Sequence, residues 1–308
     1  MFNDSRNNPK GQPWPVLAIG NFDGIHRGHR AIFEKVIGMA QEKNGTPIVL
    51  TFNPHPAKVL RPKNDSRLLT PLEDKFKRIA SHGIGRIICE PFTSELADLP
   101  AEIFVQKILV NSLEARAVWV GSRFHFGKNR CGNVDMLKEL GNCHGFSVHI
   151  MEPVEAEGEI ISSTRVRVII ESGDVETASK LLGRPYSIQG TVTKGRQVGN
   201  ALGFPTANID FGAYVIPAKG VYASKVKILG AEYSGIVNVG VNPTFDRKQL
   251  CIEAHLFDFD HDVYGESAEV FFIRRIRNEV SFSSAEALVH QIRKDIQKAL
   301  TILSESSI

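Results

Sequence analysis

The sequence predicts two domains: an α/β domain with a mostly parallel sheet, then a mainly antiparallel β domain that ends in a helix. From residue 15 to about residue 184, short apolar runs alternate with amphipathic segments, a pattern typical of a parallel sheet with helices on both faces. From residue 185 to residue 308, short β-rich runs separated by glycine and proline turns indicate a barrel or a sandwich. Residues 1–14 are polar, and we expect them to be disordered or loosely attached.

The first domain begins with an apolar strand over residues 16–19, a turn that contains glycines, and a helix over residues 31–43 whose apolar residues recur at helical spacing. The pattern then predicts strands over residues 48–52, 86–89, 118–121 and 146–151, and helices over residues 72–80, 101–113 and 134–143. Ligands of parallel sheets bind beyond the carboxyl ends of the strands, which is where the first turn is expected.

The second domain is expected to begin directly after Arg184, with little or no linker. Its β-rich runs predict strands over residues 187–192, 221–228, 234–239, 251–257 and 268–274. One amphipathic pattern, over residues 284–303, predicts the closing helix.

Composition narrows the class of protein. The chain has 308 residues, 42% of them apolar and 23% charged, as is ordinary for a globular protein. Its net charge of +3 gives no strong reason to expect a nucleic-acid partner. The cysteines form no C-x-x-C pair, which favours free thiols in a reducing compartment. No signal-peptide pattern and no apolar run near the roughly 20 residues of a membrane span is present. We therefore expect a cytoplasmic protein without a membrane partner.

The turn after the first strand carries the most informative motif, Gly20-Asn21-Phe22-Asp23-Gly24-Ile25-His26-Arg27-Gly28-His29. Its glycines let backbone approach a ligand closely, and a helix N-terminus offers unpaired N–H groups to phosphate. His26 and His29 add donors at the same point. The combination predicts a nucleotide site. Zinc is less well supported, because no H-E-x-x-H or C-x-x-C accompanies the pair. Two surface histidines at a helix start remain the simpler alternative.

Three further segments of the first domain carry polar or aromatic groups. The run Thr51-Phe52-Asn53-Pro54-His55-Pro56 leaves the second strand at its ligand-facing end. The loop over residues 121–128 brings Phe124 and Phe126, which could form a pocket for a planar ring or belong to the core. Ser163 and Thr164 are good N-caps for a helix, and Arg165 and Arg167 near its start suit phosphate oxygens. Simple capping with solvated arginines is the alternative for this last segment.

The second domain contains a glycine-rich stretch over residues 195–208 that ends in Pro205-Thr206-Ala207-Asn208. Its glycines can bring N–H groups to phosphates, and Thr206 and Asn208 offer oxygens to Mg²⁺. An ordinary hairpin loop is the alternative. Further along, Glu253 and His255 share one face of a strand, since side chains repeat every two residues. A carboxylate there could accept a proton from a hydroxyl group, or it could lie on the wet face of a sheet.

Together and in this order, these segments closely resemble the prokaryotic bifunctional riboflavin kinase/FAD synthetase family, from about residue 15 to residue 300. The first half resembles the Rossmann-like FMN adenylyltransferase module, and the second resembles the flavokinase module, a β-barrel with a C-terminal helix. The resemblance implies ATP-dependent phosphorylation of riboflavin to FMN, followed by adenylyl transfer from ATP to FMN, which yields FAD and pyrophosphate. It is carried by the segments 20–29, 51–56, 121–127, 162–167, 202–208, 217–222, 238–245 and 253–265.

The resemblance also implies roles for individual residues. His26 and His29 would stabilise charge on the α-phosphate of ATP, and Glu253 would activate the 5′-hydroxyl of riboflavin. The β- and γ-phosphates in the first domain would be held by Ser163, Thr164 and Arg167. Mg²⁺ and ATP in the second would be positioned by Thr206 and Asn208. The other implied contacts are Gly20, Asn21, Phe22, Asp23 and Gly28 for the first ATP, Gly195, Gly203 and Pro205 for the second, and Asn53, Phe124, Phe126, Tyr264 and Arg277 for flavin.

Three positions depart from the family pattern. Arg123 stands where an acidic residue or an amide is usual, Asn133 where an aspartate is common, and Asn200 where an arginine is usual in the kinase glycine loop. These departures motivate an alternative function, a riboflavin kinase whose adenylyltransferase half is impaired or altered. A flavin-binding regulator or a nucleic-acid-binding protein is less well supported. We expect small-molecule partners only, riboflavin, FMN and ATP, and a monomer or a weak homo-oligomer.

Overall fold

The computed structural model describes residues 2–3, 5, 11–61, 67–194, 202–244 and 247–305. It divides into two compact units, Met1–Ser163 and Thr164–Ile308. This division differs from the boundary at residues 184–185 predicted above, because the two helices that precede residue 184 group with the second unit.

The first unit alternates strands and helices, as predicted. Its elements are β1 Phe2–Asn3, β2 Pro15–Ile19, α1 Arg27–Glu42, β3 Thr46–Asn53, α2 Pro56–Leu60, α3 Leu72–Ser81, β4 Arg86–Pro91, α4 Ser94–Ala97, α5 Ala101–Phe104, a π-helix Val105–Ser112, β5 Ala117–Gly121, a 3₁₀ turn Lys128–Arg130, α6 Val134–His144, β6 Ser147–Met151 and the hairpin strands β7 Glu155–Ala156 and β8 Glu159–Ile160. Strands β1 to β6 form one parallel sheet in the order β1-β4-β3-β2-β5-β6.

Both faces of this sheet are covered, since strand residues alternate between two apolar clusters. Val16 and Ala18 pack with α1 and α3, while Leu17 and Ile19 pack with the π-helix and α6. Such all-round burial is typical of parallel sheets. The N-terminal strand β1 pairs with β4, so this part of the segment expected to be loosely attached joins the sheet.

The strand order places a crevice between β2 and β5. From β2 the chain continues through α1 to β3 on one side, and it returns later to β5 on the other side. Loops that leave neighbouring parallel strands in opposite directions open a crevice at their carboxyl ends, where ligands of such sheets bind. Gly20 follows β2, and Gly121 is the last residue of β5.

The second unit is a closed antiparallel barrel with the strand order β10-β13-β12-β11-β14-β9, so the barrel rather than the sandwich is confirmed. Two helices precede the barrel and one follows it. The elements are α7 Ser163–Ser172, α8 Val175–Leu182, β9 Tyr186–Thr193, β10 Ala207–Asp210, β11 Gly220–Ile228, β12 Ala231–Thr244, β13 Arg247–Leu256, β14 Ser267–Arg277 and α9 Ala285–Glu305.

Alternation along the barrel strands separates an interior from an outer face. Tyr222, Val237 and Ile252 are buried inside the barrel. Their neighbours Val221 and Ile236 lie on the outer face, where they pack with α9. Polar residues of β12 that lie an even number of positions from Ile236 therefore share its outer face, along which α9 runs.

Two local predictions differ from the structure. The helix expected over residues 101–113 is α-helical only to Phe104 and continues as a π-helix, in which the Leu113 N–H donates to the Ile108 carbonyl at 3.0 Å. Strand β10 lies where a loop was expected, and it closes the barrel by pairing with β9 and β13. No helix in the described part of the chain has the length and apolar character needed to cross a membrane.

Candidate active sites

The turn between β2 and α1 has an unusual backbone. Phe22, Gly24 and Ile25 all have positive φ angles, of 47°, 89° and 43°. For a bulky residue and a β-branched one this is a strained conformation, and such strain persists only where the surroundings enforce it. The turn brings His26 to the N-cap position of α1.

His26 and His29 form a fixed pair at the start of α1. The Nδ1 atom of His26 accepts the backbone N–H of His29 at 3.3 Å, which leaves Nε2 of His26 as the donor. The two rings stack with centroids 3.6 Å apart, and Phe22 packs edge-on against His29 at 5.2 Å. A Cβ at Gly28 would lie 3.2 Å from the His26 ring, so glycine makes room for it. The first turn of α1 contains no acidic residue, so its positive dipole end is not neutralised.

A cavity of about 300 Å³ opens at the crevice between β2 and β5. The residues predicted as ligand contacts that line it are Gly20, Phe22, His26, Gly28, His29, Phe124 and Ser163. The Ser163 hydroxyl donates to the Asp23 carbonyl at 2.8 Å and thereby joins two motifs that lie 140 residues apart. Thr164 and Arg167 follow Ser163 on α7.

Six of the predicted contacts do not line this cavity: Thr164 and Arg167 on α7, and the four residues described next. The Asn21 carbonyl accepts the Thr51 hydroxyl at 3.3 Å. The Asp23 carboxylate accepts two backbone N–H groups and is 1% exposed. Asn53 is exposed at the end of β3, and Phe126 belongs to the core, where its ring stacks on Phe124. Asn21 and Asp23 therefore shape the turn, and Phe126 supports Phe124.

Two of the departures from the family pattern lie in the first unit. Asn133 is the N-cap of α6, where its side chain accepts the Met136 N–H at 2.9 Å. Asparagine and aspartate cap helices about equally well, so this departure preserves the local structure. Arg123 is exposed and lines the cavity beside Phe124.

In the second unit, register places three polar residues in one row across the barrel. Glu253 on β13 lies opposite Asn208 on β10 and opposite Asn238 on β12. Directly paired residues point to the same face of a sheet, which here is the face along which α9 runs. Thr206, Asn238, Glu253 and Arg277 line a second cavity of about 300 Å³ on this face.

Arg277 is held at the wall of this cavity by α9. Its guanidinium Nη2 lies 2.8 Å from a carboxylate oxygen of Asp295, which is 1% exposed. Gln291, one turn earlier, donates to the same carboxylate at 2.8 Å. Asp295 was not predicted from the sequence. The feature of the sequence that could have indicated Asp295 is a charged residue on the apolar side of an amphipathic helix.

A third cavity, of about 420 Å³, contains Pro205, Thr206 and Tyr264. Thr206 therefore lines both the second and the third cavity, whereas Tyr264 lines only the third of these and Glu253 only the second. Gly203 has a φ of 84° and lines neither. Gly195 and Asn200 lie outside the described residues.

The oxygen donors beside Glu253 fit a hard cation. Within the described residues no three His, Cys, Asp or Glu side chains cluster as metal ligands. Thr206 lines the same cavity as Glu253, and Asn208 lies opposite Glu253 in the register although it does not line the cavity. Both residues carry side-chain oxygen atoms, which is the donor chemistry that Mg²⁺ prefers. Mg²⁺ is commonly bound by few protein groups together with substrate phosphates, so this set suits it.

Family models match the two parts of the chain separately. Residues 9–165 match the family model for FAD synthetase, and residues 182–303 match the one for riboflavin kinase. A crystal structure from Streptococcus pneumoniae, titled as a macrolide-efflux protein, is 31% identical with a TM-score of 0.88, covering 97% of this chain and 98% of that one. The likeness shows a shared fold along the chain.

Curated relatives named bifunctional riboflavin kinase/FMN adenylyltransferase match over nearly their whole length. The protein of Buchnera aphidicola subsp. Schizaphis graminum is 38% identical, with 92% of both chains covered. That of Bacillus subtilis strain 168 is 38% identical over 94% of this chain and 92% of its own. That of Escherichia coli K12 is 36% identical over 91% and 90%. The chain therefore belongs to the bifunctional riboflavin kinase/FMN adenylyltransferase family, a transferase that forms FMN from riboflavin and FAD from FMN with ATP as co-substrate.

Proposed function

We propose that the two reactions use separate cavities, adenylyl transfer the one beside His26 and His29, and riboflavin phosphorylation the one beside Glu253. The assignment rests on one observation: each unit has a cavity of its own, and the two cavities are lined by chemically different groups. The first cavity offers neutral or cationic donors at a helix N-terminus, which suit a phosphate. The second offers a carboxylate, which suits a hydroxyl proton.

In adenylyl transfer, a phosphate oxygen of FMN attacks the α-phosphorus of ATP and pyrophosphate leaves. Negative charge grows on the α-phosphate oxygens, and we assign its stabilisation to His26 and His29. His26 donates through Nε2, because its Nδ1 accepts the backbone N–H of His29 at the start of α1. Phe124 offers an aromatic face to the flavin. Gly20, Phe22 and Gly28 allow close approach of ATP, and Ser163, Thr164 and Arg167 hold the departing β- and γ-phosphates.

In riboflavin phosphorylation, the 5′-hydroxyl oxygen attacks the γ-phosphorus of ATP and ADP leaves. Glu253 accepts the hydroxyl proton, and Arg277 binds the flavin from the same wall. The third cavity, which Pro205 lines, takes ATP. Tyr264 lines the same cavity, so we propose that it contacts ATP rather than the flavin that the resemblance implies. Thr206 lines both cavities and therefore stands where the two substrates meet.

We assign a Mg²⁺ site to the Thr206 hydroxyl and the Asn208 side-chain oxygen. When bound, Mg²⁺ neutralises developing charge on the transferred phosphoryl group. We further propose that the protein acts in the cytoplasm as a monomer or a weak homo-oligomer, with small-molecule partners and without nucleic acid.

One assay tests the two-cavity function. The protein is incubated with riboflavin, ATP and Mg²⁺, and the flavins are separated by chromatography. Both FMN and FAD should accumulate, and chelation of Mg²⁺ should stop both steps. If FMN forms while FAD never does, even with supplied FMN and pyrophosphatase, the alternative of an impaired adenylyltransferase half replaces this proposal.

A further inference from the structure

A carboxylate is buried in the wall of the second cavity. Asp295, on α9, is 1% exposed and lies one turn from Ile292 and Ala299, which pack on the barrel. A buried carboxylate is costly unless it is both paired with a charge and hydrogen-bonded. Both conditions are met, because Arg277 supplies the charge and the Gln291 side chain donates at 2.8 Å. Apolar residues can often replace a buried ion pair without loss of stability, so the pair calls for a functional explanation.

The guanidinium of Arg277 is fixed from several sides. Its Nε donates to the two carboxylate oxygens of Asp295 at 2.9 and 3.1 Å, and its Nη2 lies 2.8 Å from one of them. Its Nη1 donates to the Asn278 carbonyl at 2.9 Å, and the guanidinium lies 5.7 Å from the centroid of the Phe282 ring. Arg277 lines the cavity, and a guanidinium has five N–H groups in a rigid fork, so donors remain for a ligand.

Arg277 lies at one end of a row of paired residues that crosses the barrel to Glu253. Arg277 on β14 pairs with Val221 on β11. Val221 pairs in turn with Asn238 on β12, and Asn238 pairs with Glu253 on β13. Neighbouring strands lie about 4.8 Å apart, so three such steps separate Arg277 from Glu253 by about 14 Å along the barrel wall. Because Asp295 holds the guanidinium against α9, Arg277 and Glu253 meet different ends of a substrate.

We propose that Asp295 is a positioning residue for riboflavin binding: it holds Arg277 at the flavin-ring end of the substrate, while Glu253 at the other end meets the 5′-hydroxyl. This inference rests on the function proposed for the second cavity. The flavin ring carries carbonyl oxygens, which suit the N–H groups of a guanidinium, and the ribityl chain leads from the ring toward Glu253. Without the Asp295 carboxylate, Arg277 loses its counter-charge and turns toward water, so the ring loses its donors.

The test compares Asp295→Asn with Glu176→Gln as a matched control. Each exchange turns a carboxylate into an amide beside an arginine of β14, since an oxygen of Glu176 lies 2.8 Å from Nε of Arg274. Glu176 is exposed and lines none of the three cavities. For Asp295→Asn we expect the KM for riboflavin to rise about tenfold with kcat nearly unchanged, the pattern that results when a charged donor to the bound substrate is lost. Glu176→Gln should behave as wild type.

Lumiflavin, the flavin ring with a methyl group in place of the ribityl chain, isolates the ring end of the substrate. It should inhibit riboflavin phosphorylation competitively in the wild type. In Asp295→Asn its inhibition constant should rise by the same factor as the KM for riboflavin. Lack of competition in the wild type, or an unchanged inhibition constant in Asp295→Asn, would overturn the proposal. So would a parallel loss of FAD formation from supplied FMN, which would indicate a general folding role.

Two further variants keep the proposal testable if Asp295→Asn does not fold. Gln291→Met removes only the neutral donor to Asp295 and should raise the KM for riboflavin about threefold. The double variant with Asp295→Asn and Arg277→Met leaves neither charge buried, and its KM should equal that of Arg277→Met alone, because Asp295 acts through Arg277. A higher KM in the double variant, or a wild-type KM in Asp295→Asn or, failing that variant, in Gln291→Met, would overturn the proposal. Intact riboflavin phosphorylation in Glu253→Gln would instead refute the assignment of the cavity itself.

Discussion

The two candidate active sites of this chain are built by different means. In the first unit the site is made by backbone shape: a left-handed turn, a helix N-terminus and a glycine that leaves room for a histidine ring. In the barrel the site is made by register, which places Asn208, Glu253 and Asn238 in one row. The first site should therefore be sensitive to changes of shape, and the second to changes of chemistry at constant shape.

The largest effect is expected from a substitution that changes the chemistry of a side chain in the barrel but keeps its shape. Glu253→Gln keeps the outline of the side chain but removes the proton acceptor, so FMN formation should fall by ~10²–10⁴-fold, the usual range for a general base. FAD formation from supplied FMN should survive in the same preparation, because that cavity lies in the other unit. Near wild-type kinase activity would mean that Glu253 belongs to the ordinary polar face of its strand.

The next prediction removes a donor from the first site. His29→Ala should lower FAD formation by ~10²–10³-fold, as is typical when one donor to a transition-state oxyanion is lost. Riboflavin phosphorylation is the internal control and should remain nearly intact. An equal loss of both activities would point to misfolding and would break the contrast between the units.

Adding one methyl group to the turn tests shape without changing any donor. In Gly28→Ala the new Cβ would lie 3.2 Å from the His26 ring, which must then shift by a few tenths of an ångström. We expect FAD formation to fall about tenfold, less than the ~10²-fold effect of a displacement near 1 Å.

Gly38→Ala is the matched control for that change, because Gly38 lies on the same helix with open space around it. Alanine is the better helix former by about 1 kcal/mol, so this variant should keep its activity and gain stability. Equal activity in both variants would show that the placement of the His26 ring is not critical.

The smallest effect is expected at Arg123, which is exposed on the cavity wall. Arg123→Asn and Arg123→Asp should each change the KM for FMN in FAD formation, with the larger change for the acidic residue because it reverses the charge on the cavity wall. Steady-state kinetics at saturating ATP provide the measurement. An unchanged KM and kcat in both variants would place the guanidinium away from the flavin.

Patterns within contiguous stretches of sequence predicted much of the fold and of the sites, whereas contacts between residues far apart in the chain could not be predicted. The strand, turn and helix around His26 are contiguous in sequence, so their spacing predicted both the structure and the histidine pair. The contact between Ser163 and Asp23 joins residues far apart in the chain, and no spacing rule reveals it. Phe124 and Phe126 share one loop and one pattern, and only the packing of the sheet shows that one faces the cavity and the other the core.

The strand register of the barrel and the docking of α9 could not be predicted from the sequence either. Strand β10 is short and follows a glycine-rich stretch, so its pairing with β13 depends on closure of the whole barrel. The ion pair of Arg277 with Asp295 likewise requires α9 to dock on the barrel. A charged residue on the apolar side of a helix is the signal that could have pointed to Asp295.

Because Asp295 from α9 holds Arg277, the two sites become complete at different moments of synthesis. The residues that line the first cavity have all been made once the ribosome passes Ser163, whereas the wall of the Glu253 cavity is complete only after α9 has been made. Domains generally fold as units in the order in which they emerge. A nascent chain should therefore acquire the site that we propose for FAD formation before the site that we propose for FMN formation.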